Sequence, residues 1–600
     1  MTDLVDGFEL DLESLLTDAE LATYSGKSSV FPHSAVLTVD KCIQMTGLLE
    51  RVLEWREEDR LGKHPGGPAP YVNDHAMLVV MFLLAREHAP LNLTEMANVL
   101  HQRLSAESRK FLGIPSALPP RQGGGGTEKK NWFNQAYNAF HRLVDTMDPH
   151  LDTKKTRRYL LTNEQREKIF TARDRNMMRR RKERLDLFSE KFVQMTFTMQ
   201  PRRLRRLQRR ANLSVDQTPL PVFSKKGTKR DQKTKGMEER LVAEIDAGWY
   251  VKGEEYIWGF AANFIINTAD TPGTKPNYPI TIRAFSLSKP GEQIGGEAVK
   301  LARQLIKAGH VPGRFTADRG YFPNEKVSNL HRPLRDMEFD LVFDMKRTEF
   351  GKQDGGQNGT IYVEGEHLCP GTPKDLINLS VRAEEKEFDE HTYRTLIDER
   401  ARYAARNKEK PDADGKVKKM CPALGPQAKI ECPLREIHPD SSKKTKPRVL
   451  KKNVPEKPPA ICCQSSVVFE ENDDTLRFAQ KYRFQSSEWA QIYKFDRNAI
   501  EGMNGYIKND AHESLSNPQR RSARGMAAQQ VLITMLVVSA NMRKLQSFLA
   551  EEGREIFRKI EKRYPESRRR DRKAHSMYKR TWGPAPDVVI VEGRSEPLRT

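Results

Sequence analysis

The sequence predicts an α/β protein in which a mixed sheet is flanked by helices, with a helical N-terminal domain ahead of it and an insertion before its last functional helix. Three observations predict it. Residues 38–114 place apolar side chains three and four positions apart, as in DHAMLVVMFLLAREH (74–88) and LNLTEMANVLHQRL (91–104). From residue 211 the period changes to that of strands, in the order β-β-β-α-β-α-β. After residue 349 the apolar pattern fails, and it returns near 476 in long helical stretches.

Taken in order, residues 1–30 are an acidic leader too poor in apolar residues to order well. Residues 31–114 form the helical domain, read either as a plain bundle or as a helix-turn-helix unit. IPSALPPRQGGGGTEKK makes 115–130 a linker by composition. Residues 131–210 are helical and basic. The first part of the sheet core spans 211–349. Its strands are ANLSVDQTPLPVF (211–223), YIWGFAANFIIN (256–267), YPITIRAFSLS (278–288), GRFTADRGY (313–321) and FDLVFDMKR (339–347). Residues 350–475, rich in Lys, Pro, Asp and Gly, read as an insertion with a small β-rich or metal-tied part and mobile arms. The core resumes over 476–550, where GMAAQQVLITMLVVSANMRKLQSFLA (525–550) is a long apolar helix, and 551–600 is a basic tail.

Charge narrows the function classes. Lys and Arg exceed Asp and Glu by 21 over 600 residues, an excess that points to polyanionic partners, nucleic acid first. The arginines concentrate in RNMMRRRKER (175–184) and PRRLRRLQRR (201–210). In the second run Arg202, Arg203, Arg205, Arg206, Arg209 and Arg210 repeat at helical spacing with no acid nearby, which favours phosphate contact over a solvated ion-pair face. The start of the chain lacks a basic, then apolar, secretory pattern, and VLITMLVVSANM is too short to span a bilayer. Six cysteines do not make a disulfide scaffold. The expectation is a soluble cytoplasmic protein with no membrane partner.

Three acids stand out by setting. Asp216 follows the apolar half of the first strand, Asp318 ends the fourth ahead of Arg-Gly-Tyr, and Glu501 lies on the helix after the insertion. Acids at strand ends sit at a sheet rim, where sites are built. If the first and fourth strands are neighbours, the three converge. Such a group repels itself unless a cation joins it, and hard oxygen ligands select Mg²⁺ or Mn²⁺. In IYKFDRNAIEGMNGYIKND (492–510), Arg497, Glu501 and Lys508 share a helix face, with Asn504 between the last two. Each acid also has a plain explanation: a turn residue at Asp216, an Arg319 pair at Asp318, an Arg497 or Lys508 pair at Glu501.

The set LSVDQTPLPVF, FTADRGYF and YKFDRNAIEGMNGYIKN resembles the DDE transposases of bacterial insertion sequences, in the branch with a Tyr, Arg, Glu, Lys pattern around its last acid. AEIDAGWYVKGEEYIWGF is similar to that family's first hairpin. The resemblance covers about 211–349 and 480–546. It implies a ribonuclease-H-like core with Asp216, Asp318 and Glu501 as catalytic ligands of two divalent ions. It implies DNA phosphate contacts at Arg497 and Lys508, and one at Tyr493, which stands one residue further from Arg497 than the pattern asks. It further implies cleavage at the ends of a mobile element, strand transfer into target DNA, and a homo-oligomer on DNA. The rival readings are another metal-dependent nuclease on the same fold and a catalytically inactive DNA-binding protein.

Five of the six cysteines lie in the insertion or at its edge. Clustering there suggests a Zn²⁺ tie through Cys369, Cys421, Cys432 and Cys462, with His367 as a further ligand candidate. The absence of a C-x-x-C pair keeps free reduced thiols as the competing reading.

Overall fold

The computed structural model of the chain describes residues 29–60, 69–119, 127–155, 157, 159, 161–223, 244–292, 294–412, 415–439 and 446–563. The acidic leader and most of the basic tail lie outside them. Residues 1–542 form one compact unit; the second, 543–600, is described only as far as the last helix runs.

The N-terminal domain is a helical bundle. Its helices are α1 (His33–Gln44), α2 (Leu48–Arg60), α3 (Asp74–Arg86) and α4 (Glu128–Asp145); α1 and α4 pack on α3, which is buried from Ala76 to Arg86, and α2 packs on α1. Asn73 starts α3 by accepting the Ala76 N–H at 2.7 Å. The shorter helix Leu93–Asn98 packs on α4. Helix α5 (Arg175–Thr198) then docks on α2, and here part of the first arginine run is consumed internally. Arg180 and Arg184 reach Asp59 at 3.1 and 2.9 Å, and Arg184 reaches Glu58 at 2.7 Å. Acids about 120 positions away thus pair with Arg180 and Arg184, while Arg175 and Arg179 stay exposed.

The core sheet has six strands: β1 (Arg210–Pro221), β2 (Gly248–Lys252), β3 (Glu255–Asn267), β4 (Ile282–Ser288), β5 (Val311–Ala317) and β6 (Asp340–Phe343). The order is β2-β3-β1-β5-β6, and β4 pairs with β3 beside β2. Strands β1 to β4 pair antiparallel, whereas β1-β5 and β5-β6 are parallel. The first and fourth strands of the sequence reading, β1 and β5, are therefore neighbours. Odd-numbered β1 residues Ala211, Leu213 and Val215 face a buried cluster with Phe315, Ala317 and the apolar side of α6 (Ile294–Lys307). The other face carries Asn212, Ser214, Asp216, Arg314 and Thr316.

Helix α7 (Ser487–Lys508) crosses that second face. Its anchor is Asp496, 1% exposed, which takes the Thr316 hydroxyl at 2.8 Å and the Arg314 Nε at 3.3 Å. The apolar helix α8 (Met526–Arg563) is buried almost continuously from Met526 to Met542. Gln530 on α8 donates to Asp186 and Ser189 of α5, and Asn541 holds both backbone groups of Ile282 at the start of β4.

One expectation is corrected. The second arginine run is not one helix: the helix ends at Leu207, and Arg210 already belongs to β1. The strand pattern that follows wins, because Val311 N–H bonds to the Arg209 carbonyl and opens the parallel β1-β5 ladder. The insertion also holds more regular structure than its composition suggests. It contains two three-stranded sheets, Lys352–Gln353 with Ile361–Val363 and Glu366–Leu368, and Arg406–Asn407 with Val417–Met420 and Val467–Phe469. Short buried contacts and an Arg400–Glu364 ion pair at 2.7 Å support them in place of a large apolar core.

Candidate active site

Asp216 sits just past the middle of β1, and Asp318 directly follows β5 at its C-terminal end. The β1-β5 register pairs Val215 with Ala317, so Asp216, still within β1, lies beside Asp318 at the end of β5. Helix α7, fixed by Asp496, then lays Arg497, Glu501 and Asn504 over them.

The geometry centres on Arg497. Its guanidinium lies 3.7 Å from Asp216, 3.9 Å from Asp318 and 3.1 Å from Glu501. Nη2 makes both of the last two contacts, so those carboxylates lie no further apart than the two contacts laid end to end. Three acids separated by 102 and 183 positions in sequence thus meet around one cation. Asn504 Nδ2 donates to the second Asp216 oxygen at 2.7 Å, and Lys508 lies within electrostatic range of the same carboxylate.

The electrostatics follow burial. Burial pushes the Asp216 carboxyl up to about 6, Arg497 pulls against the rise, and Asp318 adds to it. Tyr250 on β2 bonds to the Gln217 carbonyl at 3.0 Å, and burial with the two aspartates pushes its phenol up to about 12. Tyr321 is fully buried beside the same acids and its hydroxyl has no hydrogen-bond partner. Asn504 Oδ1 and Arg497 Nη1 are likewise buried without one. Three polar atoms around the acid cluster are thus left free to meet a further polar group.

The donor set, three carboxylates with a spare amide oxygen, is the hard-oxygen chemistry of Mg²⁺ or Mn²⁺. Among the described residues no three His, Cys, Asp or Glu side chains stand close enough to hold an ion as they are. Arg497 takes the middle and supplies the charge a metal would.

Of the plain explanations, two are removed and one holds: Asp216 lies within β1, paired with Phe264 of β3, and not in a turn. Arg319 pairs with Asp344 at 2.6 Å, not with Asp318, whose side chain instead accepts the Gly320 N–H at 2.8 Å. Glu501 does pair with Arg497. Tyr493 stacks its ring on Trp489 at 4.8 Å with an interplanar angle of 9°, and its phenol lies within electrostatic range of Arg497 and Asp318. Arg202, Arg203, Arg206, Arg209 and Arg210 are exposed, while Arg205 donates to the Gln200 carbonyl at 3.1 Å. They stand at the far end of the sheet from the acids, because Arg210 opens β1 and Asp216 comes six residues, about 20 Å, later. Sequence reasoning missed Asp496, Arg314, Tyr250 and Tyr321. An acid directly before Arg497 was visible, but only the sheet reveals its partner.

The chain matches no family model, no curated protein and no solved structure.

Proposed function

We propose that the chain is a transposase of the DDE type, with a ribonuclease-H-like core that cuts DNA at the ends of its element and joins the freed 3′ ends to target DNA. The observation that carries the reading is the meeting of Asp216, Asp318 and Glu501, from two adjacent strands and one helix, around a single guanidinium. The adjacency of the first and fourth strands, on which that resemblance depended, supports it.

Asp216, Asp318 and Glu501 are the residues that would hold divalent ions, with Asn504 Oδ1 as a further oxygen. When bound, a pair of such ions activates the attacking oxygen and stabilises the leaving one in an in-line displacement at phosphorus. The protein's own residues do the positioning. Asn504 orients the Asp216 carboxylate, and Asp496 locks α7 so that Glu501 faces the strand ends. Arg497 balances the acids without metal; once metal does so, its guanidinium is available to a DNA phosphate, for which its planar fork is suited. Lys508, at the last turn of α7, extends that cationic edge. The exposed arginines from Arg202 to Arg210 offer a second, separate phosphate-binding surface. Two element ends must be brought together, so the active form is an oligomer on DNA. Among the described residues no helix is long and apolar enough to cross a membrane.

The test uses labelled DNA from both sides of the reading frame, with Mg²⁺ or Mn²⁺. Wild type should nick and join; Asp318→Asn should do neither while binding the DNA at least as well, since one repelling charge is gone. Cleavage without joining would favour a nuclease on the same fold. Equal cutting by Asp318→Asn would remove the catalytic assignment.

A further inference from the structure

Three of the insertion's cysteines share one local design. Cys369, Cys421 and Cys432 are each followed by proline, and each carbonyl accepts the N–H three residues on: Thr372 at 3.0 Å, Leu424 at 3.1 Å and Arg435 at 3.0 Å. Proline at the second position pre-sets such a turn. The turns also aim backbone donors at sulfur. Gly371 N–H lies 3.4 Å from the Cys369 Sγ, and Ala423 N–H donates to the Cys421 thiol. Donors directed at sulfur favour thiolate over thiol.

The three turns come together. Cys369 and Cys421 belong to one buried cluster with Tyr403, Ala423, Ile430 and Val449, and Cys432 packs against it. Cys462, 8% exposed, sits on the helical turn Ala460–Cys463. Its charge is felt at Cys369, and those of Cys421 and Cys432 are felt at Cys462. Burial first, and then the other three cysteines, pushes the Cys369 thiol up to about 12. None of the four forms a disulfide. Arg435 hydrogen-bonds the Cys421 thiol and lies within electrostatic range of Cys462, a fixed cation beside a group that would otherwise gather negative charge.

We infer that Cys369, Cys421, Cys432 and Cys462 form a structural Zn²⁺ site that ties together the two small sheets of the insertion. Cys369 directly follows the last strand of one sheet, Cys421 directly follows the middle strand of the other, and Cys462 lies just before that sheet's last strand. Their apolar clusters are small, and a region with so little core gains most from a metal staple. Binding converts four thiols to thiolates, releases their four protons and leaves the Zn–S₄ group with a net charge of about −2, which Arg435 offsets in part. As it stands the cluster is not drawn in to ligating distance, so the ion would close it. Cys42 in α1 and the exposed Cys463 take no part. The inference is independent of the transposase reading.

The test is the metal content of the full chain, purified under reducing conditions without chelator. About one zinc per chain is expected, with four thiols that react with a thiol reagent only after the metal is removed. Cys42→Ser and Cys463→Ser should keep the zinc, whereas Cys369→Ser and Cys421→Ser should lose it. Should those two fail to fold, Co²⁺ exchanged into wild type reads the same point through the intense visible bands of a tetrahedral thiolate site. A chain without zinc that takes up no Co²⁺, or a Cys369→Ser chain that keeps its full zinc content, would overturn the inference.

Discussion

Replacing Arg497 with glutamine separates the two roles assigned to it, and the structure gives both directions. In wild type the guanidinium is 13% exposed and touches all three acids. A unit-charge pair at such distances attracts by about 4 kcal/mol at an effective dielectric of 20. Most of that is not net stability. Glu501 is 60% exposed, so its pair is worth at most about 1 kcal/mol, and desolvation offsets part of the rest. A loss of about 2–3 kcal/mol is expected without divalent ions, most of it from leaving Asp216 buried beside Asp318 with no cation in contact. Divalent ions should then bind the variant more tightly than wild type, because their competitor is gone; each 1.4 kcal/mol is about tenfold in affinity. The assay is urea unfolding of both proteins in chelator and at saturating Mn²⁺. Arg497→Gln should be the less stable in chelator and gain more from Mn²⁺, and it should lose DNA cleavage all the same. Equal stability in chelator, or a smaller gain from Mn²⁺ than wild type shows, would refute the placement of Arg497 as the acids' counter-charge.

Other outcomes follow from the same structure. Asp496→Ala leaves Arg314 buried and unpaired under α7, so unfolding free energy should fall by about 3 kcal/mol or more, as read by denaturant titration. DNA binding should weaken steeply with salt, and changing Arg202, Arg203, Arg206 and Arg209 together to serine should reduce the log–log slope by about 3 to 4; an unchanged slope would return that run to plain surface. His331 is fully buried, and burial first, then Arg335, lowers its pKa to about 4. Its ordinary value is 6.5, so on acidification the unfolded chain takes the proton first. Its contribution is present above pH 6.5 and is lost as the pH falls towards 4, and His331→Leu should flatten that part of the stability–pH curve.

The sheet was legible because its strands carry the period of two, and the acids because they follow apolar strand residues, although Asp216 proves to lie within β1 and only Asp318 at a strand end. Asp216 and Asp318 could be picked out that way, and Glu501 by its helix face. What the sequence hid was long-range. Nothing near Arg184 announces Glu58 and Asp59, and nothing near Asp496 announces Arg314 and Thr316. Those ion pairs join residues more than a hundred positions apart, and local periodicity carries no information about them. The insertion looked irregular for a related reason: its order rests on short strands, turns and one buried Arg400–Glu364 pair, features too brief for a period to register. Helical spacing in the arginine run misled past Leu207, because the next residues pair with β5 and tertiary ladder bonds outweigh local propensity.

The most direct test of the acid cluster is anomalous diffraction from crystals soaked in Mn²⁺. The account requires a manganese peak bonded at about 2.1–2.2 Å to oxygens of Asp216 and Asp318, with Glu501 completing the ligand set or a second peak beside it, and with the Arg497 side chain moved off the carboxylates. A saturating soak that leaves Arg497 among three metal-free carboxylates would contradict it.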